Sequence, residues 1–390
     1  MDTSDAFVGL DCTATGDRYA PDHAGRSDAG APLDPVYDLD AVDPDALPTD
    51  PDSMWDYDAL LPVPADRAVS ASEGATPLLD ADGLAAELGV GSVHLKDEGR
   101  NPTGSVLDRG LSAAVTMARA HDAELLALAA PGDAGQAAAA YAGRVDTDLY
   151  AYLPSRAPFP NKAMVNVHGA DMRVVGGRYP DALDALDADL QRDWYSLGAF
   201  TTPYRHDAYR TLAYEVAAAR DWTAPDAAVV AVGTGETLVG VARGFRDLHE
   251  LGLTDRVPRC YAVQPEGCAP VVEAHDAGSE DLTPVEHPDT ICGELEIPDP
   301  AGGSLALDAL ADTAGSAITV ADEELLESAV ALTQRLGTEV GATGGAAAAG
   351  AWALADRGDL SADDSVLVVN ADAGVKTADV LRSHLMGQGV

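Results

Sequence analysis

Short apolar runs alternate with amphipathic helical patterns along most of the chain beyond about residue 50. The runs have little polar interruption, which is typical of strands that are buried on both faces of a parallel sheet. Six strands are predicted, at 124–130, 148–153, 172–176, 227–232, 259–264 and 365–370. Seven helices are predicted, at 105–121, 134–143, 180–193, 207–219, 237–250, 322–336 and 344–356. This alternation predicts an α/β protein with parallel sheets covered by helices, and 390 residues suffice for two such units.

The charge of the chain is extreme, with 65 acidic residues, 24 basic residues and a net charge of −41. The acidic residues are dispersed over the polar faces of the predicted helices, whereas an acidic mimic of nucleic acid should show far less apolar periodicity. We interpret the charge as that of a protein from a halophilic cytoplasm, because molar salt shortens the Debye length to about 3 Å. The same charge argues against binding to nucleic acid or to a membrane surface.

Neither export nor disulfide formation is indicated. The chain has no run of eighteen apolar residues, and its N-terminus (MDTSDAF) lacks a basic region followed by an apolar core. Its four cysteines form no CxxC pair, so the spacing supports neither a disulfide framework nor a zinc site. We therefore expect a cytoplasmic protein.

A glycine-rich turn follows the predicted strand at 227–232 and opens the helix at 237–250. Its sequence GTGET contains Gly233, Thr234, Gly235 and Thr237, which can surround an anion at a helix N-terminus. An ordinary tight turn explains the same residues. Glu236 argues against a tightly held phosphate, because its carboxylate stands where neutral amides should face the ligand.

Several motifs together resemble those of threonine synthases, which are fold-type II pyridoxal-phosphate enzymes. The motifs include SEGATPL (72–78), HLKDEGRNPTGSVLDRG (94–110) and VVNADAGVK (368–376). The resemblance implies the two-domain, tryptophan synthase beta-like architecture. It implies a large α/β domain formed by 51–112 and 204–390, a small α/β domain at 113–203, and a degenerate zinc-ribbon-like segment at 1–50.

The resemblance also places Leu107 where the family has the lysine that binds the cofactor. Only a primary amine can condense with the cofactor aldehyde and later move protons at the substrate Cα. None of the three lysines is a ready substitute, because each lies where the family often has a lysine anyway. By pattern alone, Leu107 begins an apolar helical stripe and is a core position, and Ser105 with Asp108 resembles a capping arrangement.

Other positions that face the cofactor in the family are also altered. Asp133 replaces an asparagine beside the ring hydroxyl, and Leu336 replaces a glutamate. Ala371 replaces the hydroxyl residue that bonds the ring nitrogen, unless a shift by one residue brings Asn370 there. We therefore expect pyridoxal phosphate to be lost or only weakly bound.

Residues for the substrate are partly kept, whereas those for zinc are not. Lys162 and Arg205 match family positions that contact the substrate phosphate, although residual salt bridges to acidic neighbours would also explain them. In the N-terminal segment Cys12 is kept, Thr15 stands in place of a cysteine, and a single histidine is no substitute for the missing ligands. We therefore expect no bound metal.

Three functions remain open at this point. The favoured one is a pseudoenzyme, which binds a phosphorylated amino acid or a partner subunit without catalysis. The alternative is an active threonine synthase or related lyase that forms threonine from O-phosphohomoserine. The third is a structural or interaction protein with an empty cleft. The resemblance implies a homodimer, or pairing with a related active subunit.

Overall fold

The computed structural model describes residues 1–387. Its strands are β1 (Phe7–Cys12), β2 (Arg18–Tyr19), β3 (Leu33–Tyr37), β4 (Leu78–Asp80), β5 (Ser92–Asp97), β6 (Leu125–Ala129), β7 (Asp148–Pro154), β8 (Asp171–Val175), β9 (Tyr195–Ser196), β10 (Ala227–Ala231), β11 (Arg259–Pro265), β12 (Ser316–Val320) and β13 (Ser365–Asn370). Its helices are α1 (Asp82–Leu88), α2 (Leu107–Ala120), α3 (Asp133–Arg144), α4 (Phe159–Val167), α5 (Tyr179–Asp189), α6 (Pro203–Asp207), α7 (Arg210–Ala218), α8 (Glu236–Glu250), α9 (Pro270–Ala277), α10 (Gly303–Asp312), α11 (Asp322–Leu336), α12 (Ala342–Arg357) and α13 (Ala378–Gly387).

The largest sheet has six strands in the order β12-β11-β10-β13-β5-β4. All neighbours run parallel except β4, which is antiparallel to β5. Successive residues of β10 belong to different core clusters, with Ala228 and Val230 in one and Ala227 and Val229 in the other. Burial on both faces explains why this strand is a continuous apolar run.

A second, smaller sheet has the order β8-β7-β6-β9 and is parallel throughout. Its own core cluster contains apolar residues of α2 and α3. The predicted α/β class with two parallel sheets is confirmed, and the predicted domain limits stay a prediction.

The N-terminal segment forms a third sheet, which is antiparallel and has the order β2-β1-β3. Leu10, Cys12 and Leu33 of this sheet pack in a cluster with Met54 and Trp55. The sequence pattern did not predict these strands, because polar residues and glycine interrupt their apolar positions.

Two local predictions are wrong. The predicted helix at 207–219 is divided between α6 and α7, which are separated by Ala208 and Tyr209. The capping arrangement at the start of α2 is absent, because the Asp108 carboxylate accepts hydrogen bonds from Thr103 N (3.0 Å) and Thr103 Oγ1 (2.9 Å). The Ser105 hydroxyl is buried without a hydrogen-bond partner.

Within residues 1–387, we find no helix that combines the length and the apolar character needed to cross a membrane.

Candidate active site

A cleft of about 710 Å³, counting its open mouth, lies at the carboxyl ends of strands from both parallel sheets. Ala129 ends β6, Ala231 ends β10, and Ala371 directly follows β13. Ligands of α/β proteins commonly bind at such strand ends. The cleft is lined by Val106, Leu107, Ala129, Pro131, Asp133, Ala134, Tyr179, Ala199, Arg205, Tyr209, Ala231, Gly233, Thr234, Gly235, Glu236, Thr237, Glu294, Leu295, Thr343, Ala371 and Asp372.

Most of the residues that the sequence singled out meet in this cleft. They are Leu107, Asp133, Arg205, Ala371 and the glycine-loop residues Gly233, Thr234, Gly235 and Thr237. Lys162 is not among the lining residues, and its Nζ donates to the backbone carbonyl of Ser155 at 2.7 Å. The proposed contact of Lys162 with a substrate phosphate stays a prediction.

The glycine loop joins β10 to α8 and forms one wall of the cleft. Gly235 has a φ of +98°, and a Cβ there would lie 2.9 Å from the carbonyl oxygen of Gly302, so both conformation and space require glycine. The first backbone N–H groups of a helix have no partner within the helix and can bind an anion. The loop therefore has the backbone geometry of an anion site.

A carboxylate of the chain itself stands at this anion site. Glu236 is the first residue of α8, and its Oε2 accepts from Thr234 Oγ1 at 3.1 Å and lies 2.9 Å from Arg205 Nη2. Its Oε1 is buried without a hydrogen-bond partner. An incoming phosphate would therefore compete with Glu236 for Arg205.

Leu107 lies on the edge of the core rather than inside it. It is the first residue of α2, is half-buried, and contacts core clusters on both sides of the helix start. The later residues of its stripe, Leu111, Ala114 and Val115, are fully buried. The later residues of the apolar stripe therefore lie in the core, whereas its first residue, Leu107, faces the cleft.

A second group of polar side chains meets at the cleft, and sequence reasoning missed most of it. The ammonium of Lys376 donates to Gln136 Oε1 at 2.8 Å and to Asn161 Oδ1 at 3.3 Å. It also lies 3.3 Å from Asp133 Oδ1. The Asp133 backbone N–H in turn donates to Glu294 Oε1 at 2.8 Å. Asp372 lines the cleft near enough for the charges of Asp133 and Lys376 to act on it. We call Lys376, Asp133, Glu294 and Asp372 the lysine–carboxyl cluster.

Asp372 and Glu294 of this cluster hold their protons more strongly than free carboxyl groups do. Burial and then the charge of Asp133 raise the pKa of Asp372 to about 8, against the opposing effect of Lys376. Burial, and after it the negative charge of Asp133, hold the pKa of Glu294 well above its usual value. The cluster can therefore exchange protons near neutral pH.

We expect Asp372→Asn to stabilise the protein at pH 8 but not at acid pH. A carboxyl whose pKa is raised on folding contributes stability below its unfolded pKa, and this contribution is lost as the pH rises towards about 8. At about 1.4 kcal/mol for each pKa unit, the gain is on the order of a few kcal/mol. Denaturant unfolding at several pH values measures it, with the exposed Asp379→Asn as control. An equal effect of Asp372→Asn at all pH values would contradict the assignment.

Charged residues of the 94–110 motif form buried ion pairs away from the cleft lining. Arg109 is fully buried and donates to both oxygens of Glu98 (2.7 and 2.8 Å) and of Glu215 (2.6 and 2.7 Å). Lys96 Nζ lies 2.6 Å from Glu215 Oε2. Burial raises the pKa of Glu215, but the charges of Arg109 and Lys96 outweigh it and lower that pKa to about 2. We call these four residues the buried ion network.

Comparison with known proteins decides the family. Residues 69–372 match the family model described as pyridoxal-phosphate dependent enzyme. The chain belongs to this family. A threonine synthase of Methanosarcina acetivorans is 32% identical over 365 residues, which are 92% of this chain and 90% of that protein. A threonine synthase of Methanocaldococcus jannaschii is 30% identical over 358 residues, which are 90% of this chain and 88% of that protein.

The fold is shared with solved structures of similar architecture. An L-serine ammonia-lyase from Rhizomucor miehei superposes with a TM-score of 0.68 at 22% identity, over 79% of this chain and 97% of that chain. The fold-type II architecture expected from the motifs is therefore confirmed.

The expectation that the chain is a pseudoenzyme is wrong. It rested on Leu107 and on the altered residues around it. Relatives that match this chain over about nine-tenths of their length are named threonine synthase, and they point to an enzyme. A single replaced side chain excludes only one position for the amine.

The residues present fit pyridoxal phosphate in their donor chemistry. The glycine loop offers backbone N–H donors for the cofactor phosphate, although the Glu236 carboxylate stands in that loop. Lys376 offers a primary amine beside the cleft-lining Asp133. The cleft thus has an anion site, and the Lys376 amine lies directly behind its lining residue Asp133.

Proposed function

We propose that this chain is a pyridoxal-phosphate dependent lyase of the threonine synthase type. Its reaction releases phosphate from O-phosphohomoserine and adds water to give threonine. The observation that carries the proposal is the near full-length similarity to threonine synthases, combined with a cleft that has an anion loop at the expected strand end.

When bound, the cofactor acts as an electron sink that makes protons on the substrate carbons acidic. The chain itself supplies the orientation and the proton transfers. Arg205 is buried beside the glycine loop and can hold a phosphate oxygen of the substrate with its guanidinium. Its Nη1 donates to the backbone carbonyl of Leu197 at 2.7 Å, and its Nη2 exchanges the Glu236 carboxylate for the phosphate when the substrate binds.

The lysine–carboxyl cluster supplies acids and bases. With a pKa of about 8, the Asp372 carboxyl is mostly protonated at pH 7 and can donate its proton and take it back during turnover. The Asp133 carboxylate can attract the ammonium group of an amino-acid substrate. The cluster and Arg205 therefore suit a substrate with an ammonium group at one end and a phosphate at the other.

The test is an assay in molar KCl with added pyridoxal phosphate and O-phosphohomoserine. We expect equal amounts of inorganic phosphate and threonine to form. Arg205→Gln should lower kcat/KM roughly 10- to 100-fold, because a charge-assisted hydrogen bond contributes about 1.5–3 kcal/mol. The exposed Arg192, which does not line the cleft, gives the matched control Arg192→Gln. Absence of threonine, or phosphate release without it, would overturn the proposal.

A further inference from the structure

The amine nearest to the cleft lining lies on a different segment from the helix that carries Leu107. Three lysines are present in the chain. Lys96 is held in the buried ion network by Glu215, and Lys162 is bonded to the Ser155 carbonyl. Within residues 1–387, Lys376 alone of the three contacts a carboxylate that lines the cleft, that of Asp133.

The segment that carries Lys376 runs beside the start of α2. Val106 N donates to the Ala371 carbonyl at 2.7 Å, and Ala373 N donates to the Gly104 carbonyl at 2.9 Å. The side chain of Lys376 packs against this turn. Its Cε lies 3.2 Å from the position that a Cβ on Gly104 would take. The amine therefore reaches the same end of α2 from the neighbouring segment.

We propose that Lys376 is the residue that binds the aldehyde of pyridoxal phosphate covalently in this chain. This inference rests on the proposed function. It names the residue that supplies the amine that Leu107 lacks. Its side chain is 5% exposed, so the amine is shielded from bulk water while it lies next to the cleft.

The surroundings of Lys376 can carry out the condensation. Asp133 Oδ1, at 3.3 Å, takes one proton from the ammonium, and the uncharged Nζ then adds to the aldehyde carbon. The former aldehyde oxygen takes one proton from the attacking nitrogen and the other back from Asp133, and it leaves as water while a carbon–nitrogen double bond forms. Ammonium and aldehyde thus give a protonated imine and one water molecule, with no net gain or loss of protons.

The remaining contacts position the amine. Gln136 Oε1 and Asn161 Oδ1 accept two of its N–H bonds, and Asn161 Nδ2 donates to Asp133 Oδ1 at 2.7 Å. Asn161 therefore holds the lysine and its proton acceptor in one arrangement. It is a positioning residue, and Asn161→Asp should slow imine formation and alter its pH profile.

The experiment reduces the wild-type chain with borohydride after loading with pyridoxal phosphate in molar KCl, and maps the pyridoxyl group by peptide mass spectrometry. Because only three lysines and the N-terminus can be modified, the assignment is unambiguous. We expect one pyridoxyl group per chain, on Lys376. A label on Lys96, Lys162 or the N-terminus, or no label, would overturn the inference.

Variants give an independent check. Lys376→Arg should lose the adduct while its guanidinium keeps the positive charge near Asp133, and Lys162→Arg should keep the adduct. In the Lys376→Arg chain, Leu107→Lys should restore an adduct at the start of α2, which shows that the cleft is intact. If threonine forms but the label lies on another residue, the role of Lys376 is contradicted and the proposed function stands. If Lys376 is labelled but no threonine forms, the proposed function is contradicted and the role of Lys376 stands.

Discussion

Arg109→Met should lower the free energy of unfolding by about 3–5 kcal/mol, which is the usual effect of breaking a buried ion pair from one side. Arg109 makes four hydrogen bonds to two buried carboxylates, and methionine can make none of them. Glu98 would be left buried without its charged partner, and Glu215 would keep only Lys96. Equilibrium denaturation in molar KCl measures the loss.

Arg246→Met is the matched control for this change. Arg246 pairs with Asp312 at 2.6 Å, but the two side chains are 41% and 55% exposed. Exposed pairs contribute about 0–1 kcal/mol, so the control should unfold almost like the wild type. If the two variants lost equal stability, the buried ion network would not have the structural role that its geometry indicates.

Glu236→Gln should make the chain bind pyridoxal phosphate about tenfold more tightly or better, which corresponds to about 1.4 kcal/mol. Glu236 now holds Arg205 at 2.9 Å in the anion loop, where its negative charge repels a phosphate. Glutamine removes that charge and leaves Arg205 buried without a charged partner. The ligand-free variant should therefore be less stable, and the phosphate should restore the lost stability.

Thermal unfolding with and without pyridoxal phosphate measures both effects at once. The variant should unfold at a lower temperature alone and show the larger shift with the ligand, because binding to the folded state adds stability by mass action. Glu250→Gln, at the exposed far end of α8, is the control and should change neither value. An unchanged affinity of Glu236→Gln would contradict the location of the phosphate in this loop.

The central strands could be predicted from sequence because they are buried on both faces. All six predicted strands exist, as β6, β7, β8, β10, β11 and β13, and every end agrees within one residue. The pattern missed β5, since its Lys96 and Asp97 are buried but polar and the apolar run is broken. It also missed the short β12 at the edge of the large sheet.

The candidate site was predictable only where the residues lie close in sequence. The glycine loop follows a strand and opens a helix, so its geometry could be derived locally. The contact between Lys376 and Gln136 spans 240 residues, and no local pattern indicates it. Leu107 looked like a core residue because it shares the period of a core stripe, although the first position of the helix faces the cleft.

The central claim is that the cleft between the two parallel sheets holds pyridoxal phosphate through the glycine loop and Lys376. A crystal structure of the loaded and borohydride-reduced chain tests it most directly. We predict a phosphate beside residues 233–237 and electron density that is continuous from the pyridine ring to Lys376 Nζ. A ring bound outside this cleft, or joined to any other side chain, would contradict the claim.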